Sequence, residues 1–135
     1  MKRKGASSRT TARAAFPSRV LDALAEASML GVRSGKQHRF TGIWVVVVRG
    51  RVFARSWNDK ATGWRAAFRE NPKGSIRWAA RPVPVRTRPV RGERLLDQIQ
   101  KAYAEKYSTP GSRKWVRGFR AAGRRATTIE FLPRG

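Results

Sequence analysis

A polar stretch in the middle of the chain carries the side chains best suited to bind a phosphate group. Arg55, Ser56, Asn58, Lys60 and Arg65 lie close together in the sequence. Guanidinium, ammonium, hydroxyl and amide groups are donors that a phosphate ester accepts. A strand end, a polar loop and a helix start can bring such donors together, so this stretch predicts a phosphate site. The alternative interpretation is a solvated loop in an arginine-rich chain.

A second basic cluster precedes the most apolar run of the chain. It contains Arg33, Lys36, His38 and Arg39. These residues either approach the tail of a bound ligand or form the solvated face of a strand on which charged residues alternate. His38 is the only histidine, and its imidazole could change charge near neutral pH. No neighbouring carboxylate in the sequence would orient it, which favours a surface or structural role.

Tryptophan residues flank the polar stretch on both sides. Indole rings can stack on a planar ligand, but most tryptophans are core or interface residues because their large area dominates burial. We therefore predict that Trp57 or Trp64 lies near a ligand. We predict that Trp44 belongs to the packing.

The composition excludes several kinds of chemistry. The chain has no cysteine, which rules out disulfides, thiolate metal sites and thiol nucleophiles. A single histidine rules out a metal site built from several histidines. The acidic residues number only 8, and no nucleophile triad or nucleotide-binding glycine motif is present. The sequence therefore identifies no catalytic residue and predicts no metal site.

The chain is strongly basic. It has 31 Lys and Arg against 8 Asp and Glu, for a formal net charge of +23. Such a surface attracts polyanions, although a GC-rich genome also favours Arg and Ala codons. Residues 1–17 predict a flexible basic tail, and residues 113–125 hold a second group of cations. Both segments predict non-specific nucleic-acid binding at low salt, without any motif of a sequence-reading domain.

The apolar pattern predicts the elements that position these residues. Residues 18–30, 64–70 and 93–107 have helical spacing, whereas residues 112–125 are either a loop or a short basic helix. Residues 43–48 are apolar throughout and predict a strand buried on both faces, followed by a two-residue turn at Arg49-Gly50. The predicted strands are residues 32–40, 43–48, 51–57, 75–78, 83–90 and 126–133.

Six strands with about three peripheral helices indicate a mainly β fold. Hairpin-connected strands favour a small antiparallel barrel over a doubly wound parallel sheet. We predict one domain over residues 18–135, near the commonest domain size. No secretory signal pattern is present, and the longest apolar run, residues 43–48, is far too short to span a bilayer. We therefore expect a cytoplasmic protein without membrane contact.

Three stretches of the chain also resemble a known class of proteins. Residues 33–36 (Arg-Ser-Gly-Lys) resemble a segment of the deazaflavin-dependent nitroreductase-like proteins. Residues 52–60, a strand running into a polar loop, resemble a segment of the pyridoxamine-phosphate oxidase-like enzymes. Residues 64–72 form a short helix closing on Asn-Pro and are followed by a strand at residues 75–78, an order that resembles both groups. Both groups are flavin-binding split barrels. Within them the chain is most similar to a family of small uncharacterised bacterial proteins.

The resemblance implies a six-stranded split barrel that forms a homodimer, with FMN or a deazaflavin at the subunit interface. The chain would then be a flavin- or deazaflavin-binding protein. One form of this hypothesis is a small oxidoreductase of unknown substrate. Two alternatives remain. One is a split barrel that binds no cofactor and serves as a binding or structural protein, and the other is a basic nucleic-acid-binding module. The candidate cofactor-binding residues are Arg33, Lys36, Arg55, Ser56, Trp57, Asn58, Lys60, Trp64 and Arg65.

Overall fold

The computed structural model describes residues 15–36, 39–79 and 81–134. In this part of the chain seven strands form one antiparallel sheet that curls into a half-barrel. The strands are β1 (Leu30–Ser34), β2 (Thr41–Ile43), β3 (Val46–Val48), β4 (Arg51–Ala54), β5 (Lys73–Arg77), β6 (Val83–Pro89) and β7 (Ile129–Pro133). Their order across the sheet is β2-β1-β5-β6-β7-β4-β3, so β2 and β3 are its two edges.

Five helices pack around this sheet in the described part of the chain. None of them is both long and apolar enough to cross a bilayer, and the longest has 14 residues. The helices are α1 (Ser18–Glu26), α2 (Trp64–Glu70), α3 (Glu93–Lys106), α4 (Pro110–Gly118) and α5 (Ala122–Arg125).

Side chains on the two faces of the sheet build two apolar cores. Successive residues of a strand point to opposite faces, so Val52 of β4 joins one core and Phe53 joins the other. The first core includes Leu24 of α1 and Phe68 of α2. The second core includes Ile99 of α3 and residues of α4. The strand β4 is therefore covered on both faces and fixes the chain that follows it.

The predicted continuous strand over residues 43–48 is wrong. The strand β2 ends and β3 begins within this run, and the two lie at opposite edges of the sheet. Trp44 and Val45 cross from one edge to the other. The amide of Val45 donates to Tyr107 Oη at 3.1 Å, so a side chain satisfies the group that a neighbouring strand would otherwise pair.

The strand predicted over residues 32–40 is shorter than expected. It ends at Ser34 because Gly35 adopts a φ of +60°, a left-handed conformation that glycine tolerates and that turns the chain. The region from β1 to β3 therefore holds three strands where the sequence predicts two. This difference raises the strand count from six to seven.

The helix count is five rather than three. The helices α2 and α3 confirm the predictions, and residues 112–125 fold into most of α4 and all of α5 rather than a loop. The helix α1 ends at Glu26, short of the predicted length, because Leu30 already pairs with Ile43 in the sheet. The last strand begins at Ile129, later than predicted, because residues 126–128 form a turn whose backbone amides donate to carbonyls of α5.

The boundary of the predicted tail also shifts. Phe16, inside the predicted tail, is only 6% exposed and belongs to the first core. Packed structure therefore begins no later than this residue. Residues 1–14, which make up most of the predicted tail, and His38 lie outside the described residues.

The two prolines of β6 occupy positions that an interior strand can tolerate. Pro84 lies opposite Ser75 of β5 but beyond the end of the pairing with β7. Pro89 lies opposite Ile129 of β7 but beyond the end of the pairing with β5. Because the neighbouring strands are staggered, each proline has a partner strand on one side only, and its missing N–H leaves no gap in the ladder.

Glu130 of β7 ties three strands together beneath the surface. It is 1% exposed and accepts hydrogen bonds from Arg51 Nε and Nη2 at 3.0 and 2.9 Å and from Arg88 Nε at 3.0 Å. Burial by itself raises the pKa of this carboxyl, but the hydrogen bonds and charges of the two arginines outweigh it and hold the pKa of Glu130 below its usual value.

We expect Glu130→Gln to lower the free energy of unfolding by about 2 to 3 kcal/mol at neutral pH, because two partly exposed guanidinium groups lose their carboxylate. The stabilisation is complete above the ordinary glutamate pKa of 4.5 and is lost as the pH falls through the lower folded value. Urea denaturation should therefore show the difference from wild type shrinking on acidification. The exposed pair partner Asp97 provides the control, since Asp97→Asn should cost about 0.5 kcal/mol or less. If the difference in free energy of unfolding between wild type and Glu130→Gln does not change with pH, this role is contradicted.

Candidate functional site

A cleft rich in tryptophan opens beside the edge strand β2. It has a volume of about 470 Å³, within the range of small-molecule sites. Four of the five tryptophans of the chain contribute to its walls. We call it the tryptophan cleft. It is lined by Met29, Thr41, Gly42, Ile43, Trp44, Arg55, Ser56, Trp57, Asn58, Trp64, Trp115 and Phe119.

The indole rings of the tryptophan cleft are fixed by aromatic packing. Trp44 stacks on Tyr107 with ring centroids 4.0 Å apart, which confirms its predicted packing role, although it lines the cleft as well. Trp57 meets Trp115 edge-on at 4.8 Å. The guanidinium of Arg124 lies 3.5 Å from the centre of the Trp57 ring. The walls of the cleft are therefore rigid, planar and apolar.

A glycine allows α4 to approach this wall. A Cβ on Gly118 would come within 2.2 Å of the Trp57 ring, far closer than two carbon atoms can pack. The close approach of Gly118 lets the helix seat Trp115 against Trp57. The position of the aromatic wall therefore depends on the absence of a side chain at residue 118.

Arg55 forms the back of the tryptophan cleft and is engaged inside the domain. Its side chain is 2% exposed. The guanidinium donates to Thr128 Oγ1 at 2.7 Å, to Gln100 Oε1 at 2.7 Å and to two backbone carbonyls, those of Leu96 at 2.8 Å and Phe119 at 3.2 Å. Its backbone amide donates to Tyr103 Oη at 3.0 Å. The residue thus joins β4 to α3, to the residue after α4, and to the residue before β7.

Burial lowers the pKa of Arg55 to about 10. The group is still protonated at neutral pH, so the fold holds a buried positive charge among neutral acceptors. A contact between Arg55 and a cofactor phosphate stays a prediction, and in this structure the guanidinium is directed toward the helices. Its immediate role is to position the wall of the cleft.

A smaller cavity of about 250 Å³ adjoins the tryptophan cleft. Thr41 and Trp64 line both cavities, so the two lie next to each other at these side chains. The floor is anchored where Ser34 Oγ contacts the carbonyls of Ala67 and Asn71 of the α2 region at 3.0 and 2.7 Å. We call it the basic recess. It is lined by Val32, Arg33, Ser34, Arg39, Thr41, Thr62, Gly63, Trp64 and Ala67.

Arg33 lines the basic recess and has an unpaired buried donor. Its guanidinium lies over the Phe40 ring at 4.4 Å, and its Nε has no hydrogen-bond partner among the described residues. Arg39 is exposed at the same recess. Two guanidinium groups beside three hydroxyl side chains give the recess the donors that a phosphate group accepts.

The structure distributes the nine predicted site residues over several places. Arg55, Ser56, Trp57, Asn58 and Trp64 line the tryptophan cleft, and Arg33 lines the basic recess. The three remaining residues line neither cavity. Among these, Lys36 and Lys60 are exposed, and Arg65 pairs with Asp59 at 2.6 Å.

Sequence reasoning missed about half of the cleft. Thr41 and Gly42 come from β2, inside a region predicted with other strand boundaries. Trp115 and Phe119 lie within residues 113–125, where the sequence predicts only a basic surface for polyanions. Their spacing of four residues puts them on one helical face, a signal that becomes useful only once residues 110–118 are known to be helical.

The lining of the tryptophan cleft is aromatic, aliphatic and neutral polar apart from the buried Arg55. Its lining includes no carboxylate and no imidazole within the described residues. Ser56 Oγ lies 2.9 Å from the carbonyl of Asn58 and is buried. The described residues also contain no group of three or more potential metal ligands. Any reaction here would use chemistry brought by a bound group.

The described residues form a mainly β protein, a curled antiparallel half-barrel with an aromatic cleft at its edge. Residues 21–131 match the family described as uncharacterised proteins conserved in bacteria, DUF2255. Because the match spans most of the chain, the protein belongs to this family. None of the curated proteins matches the sequence.

Solved structures share the fold at low sequence identity. A conserved hypothetical protein of Mycobacterium tuberculosis is 15% identical with a TM-score of 0.57, over 95% of this chain and 87% of its own. A protein of Jannaschia named for general stress protein 26 is 10% identical with a TM-score of 0.52, over 85% and 71%. An FAD-binding protein of Mesorhizobium loti is 16% identical over 89% and 91%, and its TM-score of 0.47 is too low to support an argument. The first two show likeness of fold alone.

We expect Arg55→Met to lower the free energy of unfolding by about 3 kcal/mol, because several buried acceptors lose their donor. Arg55→Lys should also destabilise, since an ammonium group cannot reproduce the planar fork. Urea denaturation followed by far-ultraviolet circular dichroism measures both. Arg65→Met is the control, because its ion pair lies near the surface and should contribute about 1 kcal/mol or less. Equal losses at the two positions would contradict the structural role of Arg55.

Proposed function

We propose that the protein binds a flavin-type cofactor, with the ring system in the tryptophan cleft and the phosphate in the basic recess. The observation that carries this proposal is that the two cavities lie side by side and share Thr41 and Trp64 in their walls. An aromatic slot beside a cationic recess matches a ligand that has a planar ring system at one end and a phosphate at the other. The resemblance of residues 33–36 and 52–60 to flavin-binding split barrels supports the same ligand.

The ring would lie among indole side chains. Stacking and edge-to-face contacts with such rings stabilise a planar aromatic ligand by about 0.5 to 1.5 kcal/mol for each pair beyond the area they bury. Thr41 and Asn58 lie at the cleft with polar groups that could orient the ring edge. Neither side chain can act as a strong acid or base, so their role would be to fix orientation.

The phosphate would lie at Arg33 and Arg39. A charge-assisted hydrogen bond contributes roughly twice as much as a neutral one, and both arginines line the recess and form no ion pair among the described residues. Lys36 and Lys60, both exposed, stay predicted contacts. Arg65 pairs with Asp59 at 2.6 Å. It would have to break this ion pair to contact the phosphate.

A bound flavin would supply hydride or electron transfer, and the protein would position it and limit access of water. An oxidoreductase of small substrates is therefore the enzyme activity that we propose. FMN fits the proposed arrangement directly because it has one ring system and one terminal phosphate. A deazaflavin shares the ring shape and enters the same test. Failure of both to bind would favour the alternative of a cofactor-free binding protein.

We expect FMN to quench tryptophan fluorescence saturably and to bind roughly ten times more tightly than riboflavin, which lacks the phosphate. The double variant Arg33→Gln/Arg39→Gln should weaken FMN to the level of riboflavin and leave riboflavin unchanged. Titrations of FMN, riboflavin and a deazaflavin into the same protein measure these differences.

The matched control for this titration is Lys73→Gln/Arg86→Gln. These two cations are exposed and opposite one another on β5 and β6, away from both cavities. The control should change neither affinity. Equal affinity for FMN and riboflavin in the wild type would reject the phosphate assignment, and absence of quenching by all three ligands would reject the cofactor itself.

We further propose that a second copy of the chain covers the mouth of the tryptophan cleft. Among the residues that the structure describes, Met29 and Trp115 are the large apolar side chains that remain exposed, at 51% and 42%, and both lie at this cleft. Exposed apolar surface at a ligand cleft is typical of interaction sites. The homodimer implied by the resemblance would bury both residues beside the cofactor.

Sedimentation velocity tests the dimer. We expect the wild type to sediment as a dimer and Met29→Glu to sediment as a monomer, because a carboxylate buried in an apolar interface costs several kcal/mol. Ala79→Glu, at an exposed position away from the cleft, adds the same charge and should leave the dimer intact. A monomeric wild type would reject this assembly.

A further inference from the structure

A groove between α3 and α4 lies outside the cavities described above. Its volume is about 610 Å³. The small side chain of Ala104 on α3 leaves space between the two helices. The groove continues to Arg120, two residues beyond α4, and to Arg125 at the end of α5. We call it the α3–α4 groove. It is lined by Asp97, Gln100, Lys101, Ala104, Val116, Arg117, Arg120 and Arg125.

The α3–α4 groove carries positive charge that no described carboxylate neutralises. Lys101, Arg117 and Arg120 are exposed and form no ion pair within the described residues. The one acidic side chain of the lining, Asp97, pairs with Arg125 at 3.0 Å. Three cations therefore face the groove from two helices and the residue beyond them, and the nearby acid is already compensated.

The positive charge continues beyond the groove along the same elements. Residues 110–125 contain six Lys or Arg and no Asp or Glu. Arg113 and Lys114 of α4 are exposed and also lack a described carboxylate partner. Arginine forks suit phosphate oxygens in particular. The α3–α4 groove is thus the concave part of a longer basic face.

The amide group at the base of the groove is occupied. Gln100 Oε1 accepts a hydrogen bond from Arg55, and Gln100 Nε2 donates to the carbonyl of Val116 at 2.9 Å. This side chain is therefore not available to read a base edge. Cations alone give contacts to phosphate, which position a strand without selecting its sequence.

We propose that the α3–α4 groove binds the phosphodiester backbone of a nucleic acid without sequence preference. A concave surface lined by cations admits a strand, whereas a flat anionic bilayer would meet the rim and not the residues inside. Lys101, Arg117 and Arg120 are the contacts that this proposal assigns. The site is separate from the proposed cofactor site, and either can fail without the other.

The test compares two triple variants of the full chain. Lys101→Gln/Arg117→Gln/Arg120→Gln removes the proposed contacts. Lys73→Gln/Arg81→Gln/Arg86→Gln removes one lysine and two arginines from exposed positions that line none of the cavities described above. Each variant lowers the formal net charge of +23 by three. Any difference between them therefore reports the place of the charges and not their number, and the basic segment at residues 1–17 is the same in both.

The measurement is fluorescence anisotropy with a labelled single strand of about 20 nucleotides, long enough to exceed the site of one small domain, and with the matching duplex. At moderate salt we expect the groove variant to lose about tenfold or more in affinity for at least one of the two probes. Its slope of log affinity against log salt should fall by roughly two to three, since each phosphate contact contributes about 0.7 to 0.9. The control variant should lose less than about threefold. The probe whose affinity falls identifies whether the groove binds single-stranded or double-stranded nucleic acid.

Two outcomes would overturn the proposal. Equal losses in the groove and control variants would show that overall charge accounts for the binding. Unchanged nucleic-acid affinity in the groove variant, with reduced binding to phosphatidylserine vesicles in a parallel sedimentation assay, would assign the surface to a membrane. Circular dichroism of both variants confirms that each is folded, and since all six positions are exposed, neither substitution set disturbs a core.

Discussion

A buried guanidinium group sets the arrangement on which the rest of this structure depends. Arg55 holds a full charge away from water, and no carboxylate lies within ion-pair distance among the described residues. Such a charge is tolerated only if neutral acceptors surround it closely. Those acceptors come from α3, from Phe119 after α4 and from Thr128 before β7. Four parts of the fold must therefore meet at one point.

The tryptophan cleft is a consequence of this constraint. The chain leaves the sheet immediately after β4, and Arg55 turns inward while the residues after it form the cleft wall. Tyr103 accepts a hydrogen bond from the Arg55 amide, and its hydroxyl lies 3.3 Å from the carbonyl of Trp44. The opposite wall is thereby connected to the same point. Arg124 and the close approach of Gly118 then fix the Trp57 ring. The rigidity of the cleft follows from packing on all sides of β4.

Carboxylates are few in this protein, and their ion pairs join separate elements of the fold. Among the described residues, every ion pair involves one of four carboxylates: Glu130, Asp59, Glu93 and Asp97. Glu130 joins strands, Asp59 holds the loop before α2 to that helix, and the other two hold Arg125 to the start of α3. The remaining cations face solvent and repel one another. Anionic ligands would reduce this repulsion wherever the surface is concave enough to collect several cations.

Local sequence signals predicted those elements whose boundaries are set by residues adjacent to them in the sequence. The Arg49-Gly50 turn is confirmed, with φ of 54° and 74° at its two residues, as the twist of a two-residue hairpin requires. The helices α2 and α3 follow from apolar spacing along one face. The breaks around Gly35 and Trp44 could not be predicted in this way. They depend on which sheet edge each segment reaches, and a uniformly apolar run contains no signal for that choice.

The sequence by itself determined the charge, the absence of thiol chemistry, the mainly β character and the contiguous stretch from Arg55 to Asn58 that forms part of the cleft. Only the tertiary structure decided that Arg55 points inward and that Met29, Thr41 and Trp115 join that stretch. It also decided that Lys101 faces Arg117 and Arg120 across a groove. The physical reason is separation along the chain. Contacts such as Trp57 with Gly118 and Arg55 with Thr128 join distant segments, and their geometry is set by close packing of the whole domain rather than by local preference.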